Sequence, residues 1–460
     1  MAPTALHSGR RSAPRKERTP AFSLGAHPQG IQPYGNALLA GARDARRTGL
    51  GSFAMWSDEL LLQLLAEYLD PVSIVRLGAS SHMFYALATA PQVWRDVFVD
   101  QLGPLVPRWE GSWRGTCVGV LLRRDERPDT EVQRLAGAAA RAGVRARGVY
   151  SDTLYHAFLT SSFQPQPFLE REARRENARV QRARKTATDV PPERPSLPDV
   201  MERVSAKTTS LDTFITTYAE PNRPCILVDA VDAWPCRTWT LDEMKARWAP
   251  REIQAEAIRA SVATYVEYAR SAGGGGESQE DASGLLPDTS PYYLFDSEIA
   301  VGEPDAASGW RVPELLCRVP GECKSVADEY TRADLFSLFG ELRPDYRWLI
   351  AGPARSGSGW HKDPNMTSAW NAVMQGSKYW MMLPPHVTPP GVYVTSDEAE
   401  VTAPASLSEW MLDYYAETKA RHGRRELGGD GLLVDGVCRT GEVMYVPSGW
   451  WHLVINLDGT

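Results

Sequence analysis

The sequence predicts a multidomain α+β protein, in which a small all-α module comes first and a larger, strand-rich domain with flanking helices comes second. Three observations carry this reading. A chain of 460 residues is long enough for two or three domains. Apolar residues recur at helical spacing between residues 53 and 115. From residue 206 to residue 460 the pattern changes to short strands, turns and isolated helices. The content of 43% hydrophobic and 23% charged residues is ordinary for a globular protein. A net charge of −7 argues against a surface coated by nucleic acid. The cysteines at 117, 225, 236, 317, 323 and 438 show no paired spacing, which fits a reducing compartment rather than a disulfide framework. No apolar run approaches the ~18–20 residues needed to span a membrane.

Taken in order, residues 1–50 are rich in Gly, Pro, Ala and Arg without a period, and read as a disordered basic tail. Its Arg10, Arg11, Arg15, Lys16 and Arg18 serve either nuclear import or solvation alone, and no apolar core comes after them as in a secretory signal. In the helical module, Ser57 is an N-cap ahead of Leu61, Leu64, Leu65 and Tyr68, which fall on one helix face. Asp70-Pro71 restarts the chain as a cap and first helical residue. Val72, Val75 and Leu77 continue the apolar set. A third helix is expected from near Ser80 with Met83, Phe84 and Leu87, and Pro91 breaks it ahead of Val93, Trp94, Val97 and Phe98. Helices this short bury little surface alone, so a partner is expected to complete them. Residues 116–205 read as a helical, charged linker region. Within it, 168–187 has a basic excess and almost no apolar stripe, as in a solvated helix that cannot anchor a core. Pro191, Pro192, Pro195 and Pro198 then make a stiff linker. Gly273–Gly276 and the stretch Gly423–Gly431 read as loops.

His361-Lys362-Asp363 places an imidazole and a carboxylate at i and i+2, which converge if they end a strand. Near the C-terminus, Val443–Val446 reads as a strand and Pro447-Ser448-Gly449 as a turn. His452 begins the return strand, with Val454 and Asn456 on its face. Two histidines and one aspartate form the ligand set of a non-haem iron(II) oxygenase, leaving coordination positions open, whereas a closed zinc site would want four protein ligands, usually with cysteine. Between the halves, two apolar strands joined by Gly376-Ser377 are interrupted by Asn371 and Lys378. A lysine inside an apolar barrel needs an anion. The alternative is a lysine at an exposed strand end whose ammonium snorkels to water.

The segments GPARSGSGWHKDPNMTSAWNAVMQGSKYWMMLPP and GEVMYVPSGWWHLVINLD closely resemble the Jumonji-C (JmjC) oxygenases of the phosphatidylserine-receptor-like lysyl hydroxylase and arginine demethylase branch, and the likeness covers about residues 208–460. The resemblance implies a double-stranded β-helix (jelly-roll, cupin) domain, with Fe(II), 2-oxoglutarate and O2 as cofactors and co-substrates. It implies His361, Asp363 and His452 as iron ligands and Lys378 as partner of the 2-oxoglutarate carboxylate. Asn371, Ser358, Tyr293 and, more remotely, Asn456 are implied as further pocket residues. It also implies one more barrel strand after Asp458; the sequence stops at Thr460, so either it is truncated or the product lacks that strand, which would leave an unpaired sheet edge and an open pocket. The run LLLQLLAEYLDPVSIVRLGASSHMFYALATAPQVWRDVF resembles an F-box, with Met55-Trp56 where Leu-Pro is usual. That implies docking on a Skp-type adaptor of a cullin-RING ubiquitin ligase through Leu61, Leu64, Leu65 and Pro71; a plain helical cap on the catalytic domain is the alternative.

The resemblance implies hydroxylation of a protein side chain: a lysine gives hydroxylysine, and an N-methyl group on lysine or arginine is lost as formaldehyde. Histones or other basic nuclear proteins are the expected substrates and the nucleus the expected location. The rival readings are a catalytically silent F-box receptor, or an RNA or small-molecule hydroxylase on the same barrel. The basic stretch 171–185 could touch phosphates but has no interleaved aromatics for stacked bases. Ser406-x-x-Glu409 caps a helix with Trp410, Met411, Tyr414 and Tyr415, within an insert at 386–436 that reads either as a lid or as a helix on the barrel exterior.

Overall fold

The computed structural model describes residues 31, 46–124, 152–184, 200–272, 287–316, 335–396 and 400–459. The basic cluster of the N-terminal tail, the proline linker and the loop at Gly273–Gly276 lie outside the described residues. No helix among the described residues is long and apolar enough to cross a membrane.

The helical module contains α1 (Asp58–Gln63), continued by a π-turn at Leu64–Tyr68, then α2 (Pro71–Gly78), α3 (His82–Ala88) and α4 (Pro91–Val97). Each start has a local cause. Ser57 accepts a hydrogen bond from the Leu60 N–H, and Asp70 from those of Val72 and Ser73. The third helix starts later than the expected Ser80, because Ser81 is the residue whose hydroxyl caps the Phe84 N–H. Strand β1 (Leu105–Val106) and helix α5 (Trp113–Arg124) complete the module.

Helices α6 (Asp152–Ser162) and α7 (Pro165–Arg184) come next. Strands then run in chain order as β2 (Arg203–Ser205), β3 (Cys225–Val228), β4 (Glu252–Ala255), β5 (Ile258–Ser261), β6 (Leu294–Asp296), β7 (Leu349–Ala351), β8 (Gly357–His361), β9 (Ala369–Ala372) and β10 (Ser377–Leu383). The short pair β11 (Tyr393–Val394) and β12 (Val401–Thr402) precedes β13 (Val434–Arg439), β14 (Val443–Val446) and β15 (Trp451–Asn456). Helix α8 (Val262–Ala272) continues from β5, and α9 (Leu407–Asp413) and α10 (Tyr415–His422) precede β13.

Two four-stranded sheets, β13-β10-β15-β8 and β2-β3-β14-β9, face one another. Their period-2 alternation sends Ile226, Trp380, Met382, Met444, Val446 and Val454 into the shared interior. The other face of the first sheet, with Tyr379, Met381, Leu453 and Ile455, is covered by Trp410, Met411 and Tyr415 of α9 and α10. Strand β9 is paired with β14 on one side only among the described strands.

Three expectations change. The helical module is not a separate unit: Leu61, Leu65, Trp94, Phe98 and Trp113 share one core with Trp248, Val262, Tyr265, Tyr268 and Leu294, and β1 pairs in parallel with β5. The surface that short helices leave unburied is thus covered by the same chain. Consequently Leu61 and Leu65, each 1% exposed, and the buried Pro71 face inward and offer nothing to an adaptor; Leu64 is half-buried. Finally, α7 is not a solvated rod. Its Phe168 and Leu169 pack with Phe163 and Tyr415 against the barrel exterior, and Glu176 pairs with Lys419 and Arg424. Burial of a few apolar residues plus ion pairing docks a helix whose overall composition is polar.

Candidate active site

The antiparallel register of β8 and β15 sets His361 directly opposite His452, with ring centroids 4.1 Å apart. Asp363 lies two residues beyond the end of β8 on extended backbone, and one of its oxygens is 3.9 Å from His452 Nε2. The ligand-capable atoms of all three residues lie within 4.8 Å of one another. Two glycines permit the arrangement. Gly449 turns the chain into β15 at φ +70, and a Cβ there would stand 2.4 Å from Met366 Cε. Gly357 brings β8 so close to β15 that a Cβ would lie 2.1 Å from the Val454 carbonyl oxygen. The register shifts between the His361–His452 and Ser358–Val454 pairs, and this irregularity lets Ser358 face the interior beside His361.

Backbone carbonyls orient both histidine rings. Nδ1 of His361 faces the Gly359 carbonyl at 2.7 Å and Nδ1 of His452 the Trp450 carbonyl at 3.1 Å. A carbonyl can only accept, so both Nδ1 atoms donate and Nε2 is the nitrogen of each ring left to face a ligand. Burial, with the neighbouring His361 adding to it, holds His452 down to about 3, so the ring is neutral. Burial pushes the Asp363 carboxyl up, against the pull of His361, and its Oδ2 is buried without a hydrogen-bond partner. A desolvated carboxylate oxygen without a hydrogen-bond partner, beside two imidazole rings, suits a divalent cation.

Lys378 is 2% exposed and faces Asn456 across the β10–β15 ladder. Its ammonium donates to the Tyr293 hydroxyl at 2.7 Å, and among the described residues no carboxylate pairs with it. Asn456 donates to Ser356 Oγ at 3.0 Å, while its Oδ1 and that of Asn371 are buried without partners. The structure thus brings Lys378, Tyr293, Asn371 and Asn456 to the interior with Ser358. The buried ammonium, with a neutral hydroxyl as its partner, fits an anionic ligand, whereas the two amide oxygens are acceptors that call for a donor. Trp380 was not among the expected site residues. Its ring stacks at 5.9 Å from His452, and its Nε1 is also buried without a partner. The alternation Lys378-x-Trp380-x-Met382 was the available signal. The capped helix α9 packs Trp410 against Trp360 on the outer face of β8, so it is an exterior helix and not a lid over the triad.

Two histidines and one aspartate brought together in a two-sheet barrel that also buries a lysine form the ligand set of a mononuclear metal oxygenase. Residues 348–460 match the JmjC domain, hydroxylase family. The chain is 33% identical to the arginine-specific demethylase JMJ22 of Arabidopsis thaliana over 93% of its own length and 71% of that protein. It is 30% identical to the lysine-specific demethylase JMJ21 of Arabidopsis thaliana over 91% of its length and 37% of that protein. It is 28% identical to the bifunctional arginine demethylase and lysyl-hydroxylase psr-1 of Caenorhabditis briggsae, over 57% of its length and 60% of that protein. The chain belongs to the JmjC family and is an oxygenase dependent on iron, 2-oxoglutarate and O2.

Proposed function

We propose that this chain oxidises basic side chains of proteins, as an arginine or lysine demethylase or a lysyl hydroxylase, with histones and other basic nuclear proteins as substrates. The observation that carries the reading is the prepared triad His361, Asp363 and His452 with the anion-seeking Lys378 behind it. His361, Asp363 and His452 hold the iron. Lys378 and Tyr293 hold the distal carboxylate of 2-oxoglutarate, and Asn371, Asn456 and Ser358 line the same pocket. Bound iron and 2-oxoglutarate supply the oxygen-activating chemistry. The chain's own residues supply the imidazole and carboxylate ligand atoms and an apolar interior wall of Trp380 and Met382. Relatives named for arginine demethylation and lysyl hydroxylation support this substrate class.

The test is incubation of the full chain with Fe(II), 2-oxoglutarate, and methylated or unmodified Arg- and Lys-containing histone peptides. Peptide mass spectrometry and succinate assay are the readouts. One succinate per oxidised or demethylated peptide is expected, and 2-oxoglutarate turnover with no change in any basic peptide would remove the substrate assignment. As part of the proposal, the helical module docks an adaptor through its exposed apolar residues Met55, Leu60 and Tyr68 instead of its buried leucines. The basic N-terminal segment supports nuclear location.

A further inference from the structure

The segment from Asp288 to Tyr293 joins the helical module to the oxygenase pocket. Asp288 is buried, and its carboxylate accepts from Trp113 Nε1 at 2.8 Å and from the Tyr268 hydroxyl at 3.0 Å. Arg95 reaches the same carboxylate at 3.3 Å and the Ser290 carbonyl at 3.4 Å, and its guanidinium lies over the Tyr292 ring at 5.7 Å. Arg95 and Trp113 belong to α4 and α5 of the helical module. The Tyr268 hydroxyl, held by Asp288, accepts the Tyr292 N–H at 2.8 Å. The next residue is Tyr293, whose hydroxyl accepts from Lys378 at 2.7 Å. A second branch leaves the same point: Arg355 donates to the Asp288 carbonyl at 2.6 Å, and its own N–H donates to the Asn456 carbonyl at 2.9 Å.

We infer that the N-terminal helical module is a positioning element of the oxygenase pocket: Arg95 and Trp113 fix Asp288, and Asp288 fixes Tyr293 against Lys378. The inference rests on the reading that Lys378 and Tyr293 hold 2-oxoglutarate. A tyrosine whose neighbouring backbone is pinned by the Tyr292 N–H bond and whose hydroxyl meets Lys378 keeps its geometry with little ordering cost when the ligand arrives. Arg95, Trp113 and Asp288 touch neither metal nor ligand, so they are positioning residues and not catalytic ones. The helical module is then needed for cofactor affinity whatever partner it docks.

The experiment uses the full chain. Trp113→Phe removes the indole donor and keeps an aromatic ring in the core; Asp288→Asn is the harsher second variant. Mn(II) replaces iron, so binding is read by calorimetry without turnover. Mn(II) affinity is measured first, and 2-oxoglutarate is titrated at saturating Mn(II). Thermal melting checks the fold. Loss or loosening of one hydrogen bond should weaken 2-oxoglutarate binding about three- to tenfold. Mn(II) affinity alone should be unchanged. In the Tyr293→Phe background, Trp113→Phe should add almost nothing, because both act on one contact. If Tyr293→Phe weakens binding while both Trp113→Phe and Asp288→Asn stay within about twofold of wild type, the inference fails and the pocket reading stands. If Lys378→Ala and Tyr293→Phe both leave binding unchanged, the pocket reading itself fails and takes the inference with it. If both positioning variants unfold, the contact is a folding determinant and the positioning role is overturned.

Discussion

Removing the Lys378 ammonium separates a ligand-holding cation from a strand-end lysine. The side chain is 2% exposed and has one neutral partner, the Tyr293 hydroxyl, with no carboxylate among the described residues. A buried cation so weakly compensated is costly to the ligand-free protein, by several kcal/mol in general. Lys378→Met keeps the stem and removes the charge, so it should raise the melting temperature of the ligand-free protein, with a gain on the order of 1–3 kcal/mol. The same change removes the anion's partner. Loss of a buried, charged hydrogen bond costs roughly 2–4 kcal/mol, about 30- to 1000-fold in 2-oxoglutarate affinity. Tyr293→Phe, which removes a neutral contact, should cost only about 0.5–1.5 kcal/mol. The assay is a 2-oxoglutarate titration at saturating Mn(II), with melting measured in parallel. A loss of affinity under about threefold, the range of an ordinary surface substitution, would refute the argument, as would a fall in the melting temperature of the ligand-free Lys378→Met variant.

Asp363→Ala should abolish metal binding while the ligand-free fold persists or gains stability, since it removes a desolvated, unpartnered carboxylate; near-wild-type affinity by metal titration would contradict the ligand assignment. Lys419→Ala should destabilise the protein by about 3–5 kcal/mol, because it takes the ion-pair partner from Asp435, 1% exposed, and one of the two cations from Glu176 on α7. Asp435 and Glu176 hold Lys419 above its ordinary 10.5 despite its burial. A raised pKa means its contribution is complete below 10.5 and lost only as pH rises through the higher folded value. Denaturant melts of wild type and variant should therefore differ by a constant amount from about pH 6 to 9. Leu61→Asp should unfold the helical module rather than disturb a surface, whereas Met55→Asp, at a position 84% exposed, should leave melting unchanged and weaken adaptor pull-down if the proposed face is the docking face.

The sequence by itself brought out a candidate ligand set and the local elements that carry it, and the structure places the three side chains together. His361, Asp363 and His452 were legible because ligand type and i, i+2 spacing are local properties, and because the turn at Pro447–Gly449 predicts the strand that starts beside His452. The caps at Ser57 and Asp70 were legible for the same reason: each acts on N–H groups two or three residues away. What the tertiary structure decided is which surface covers which. Periodicity showed that Leu61 and Leu65 share a face but not that Tyr265 and Leu294 of the same chain would bury it. Composition marked α7 as polar, since its docking depends on two aliphatic or aromatic contacts and on Glu176 meeting Lys419 and Arg424, far along the chain. The His361–His452 register, the shift that turns Ser358 inward, and the chain from Trp113 through Asp288 to Tyr293 and Lys378 are all non-local. Such contacts arise when strands and helices distant in sequence pack together, and no residue in the chain announces its partner before they do.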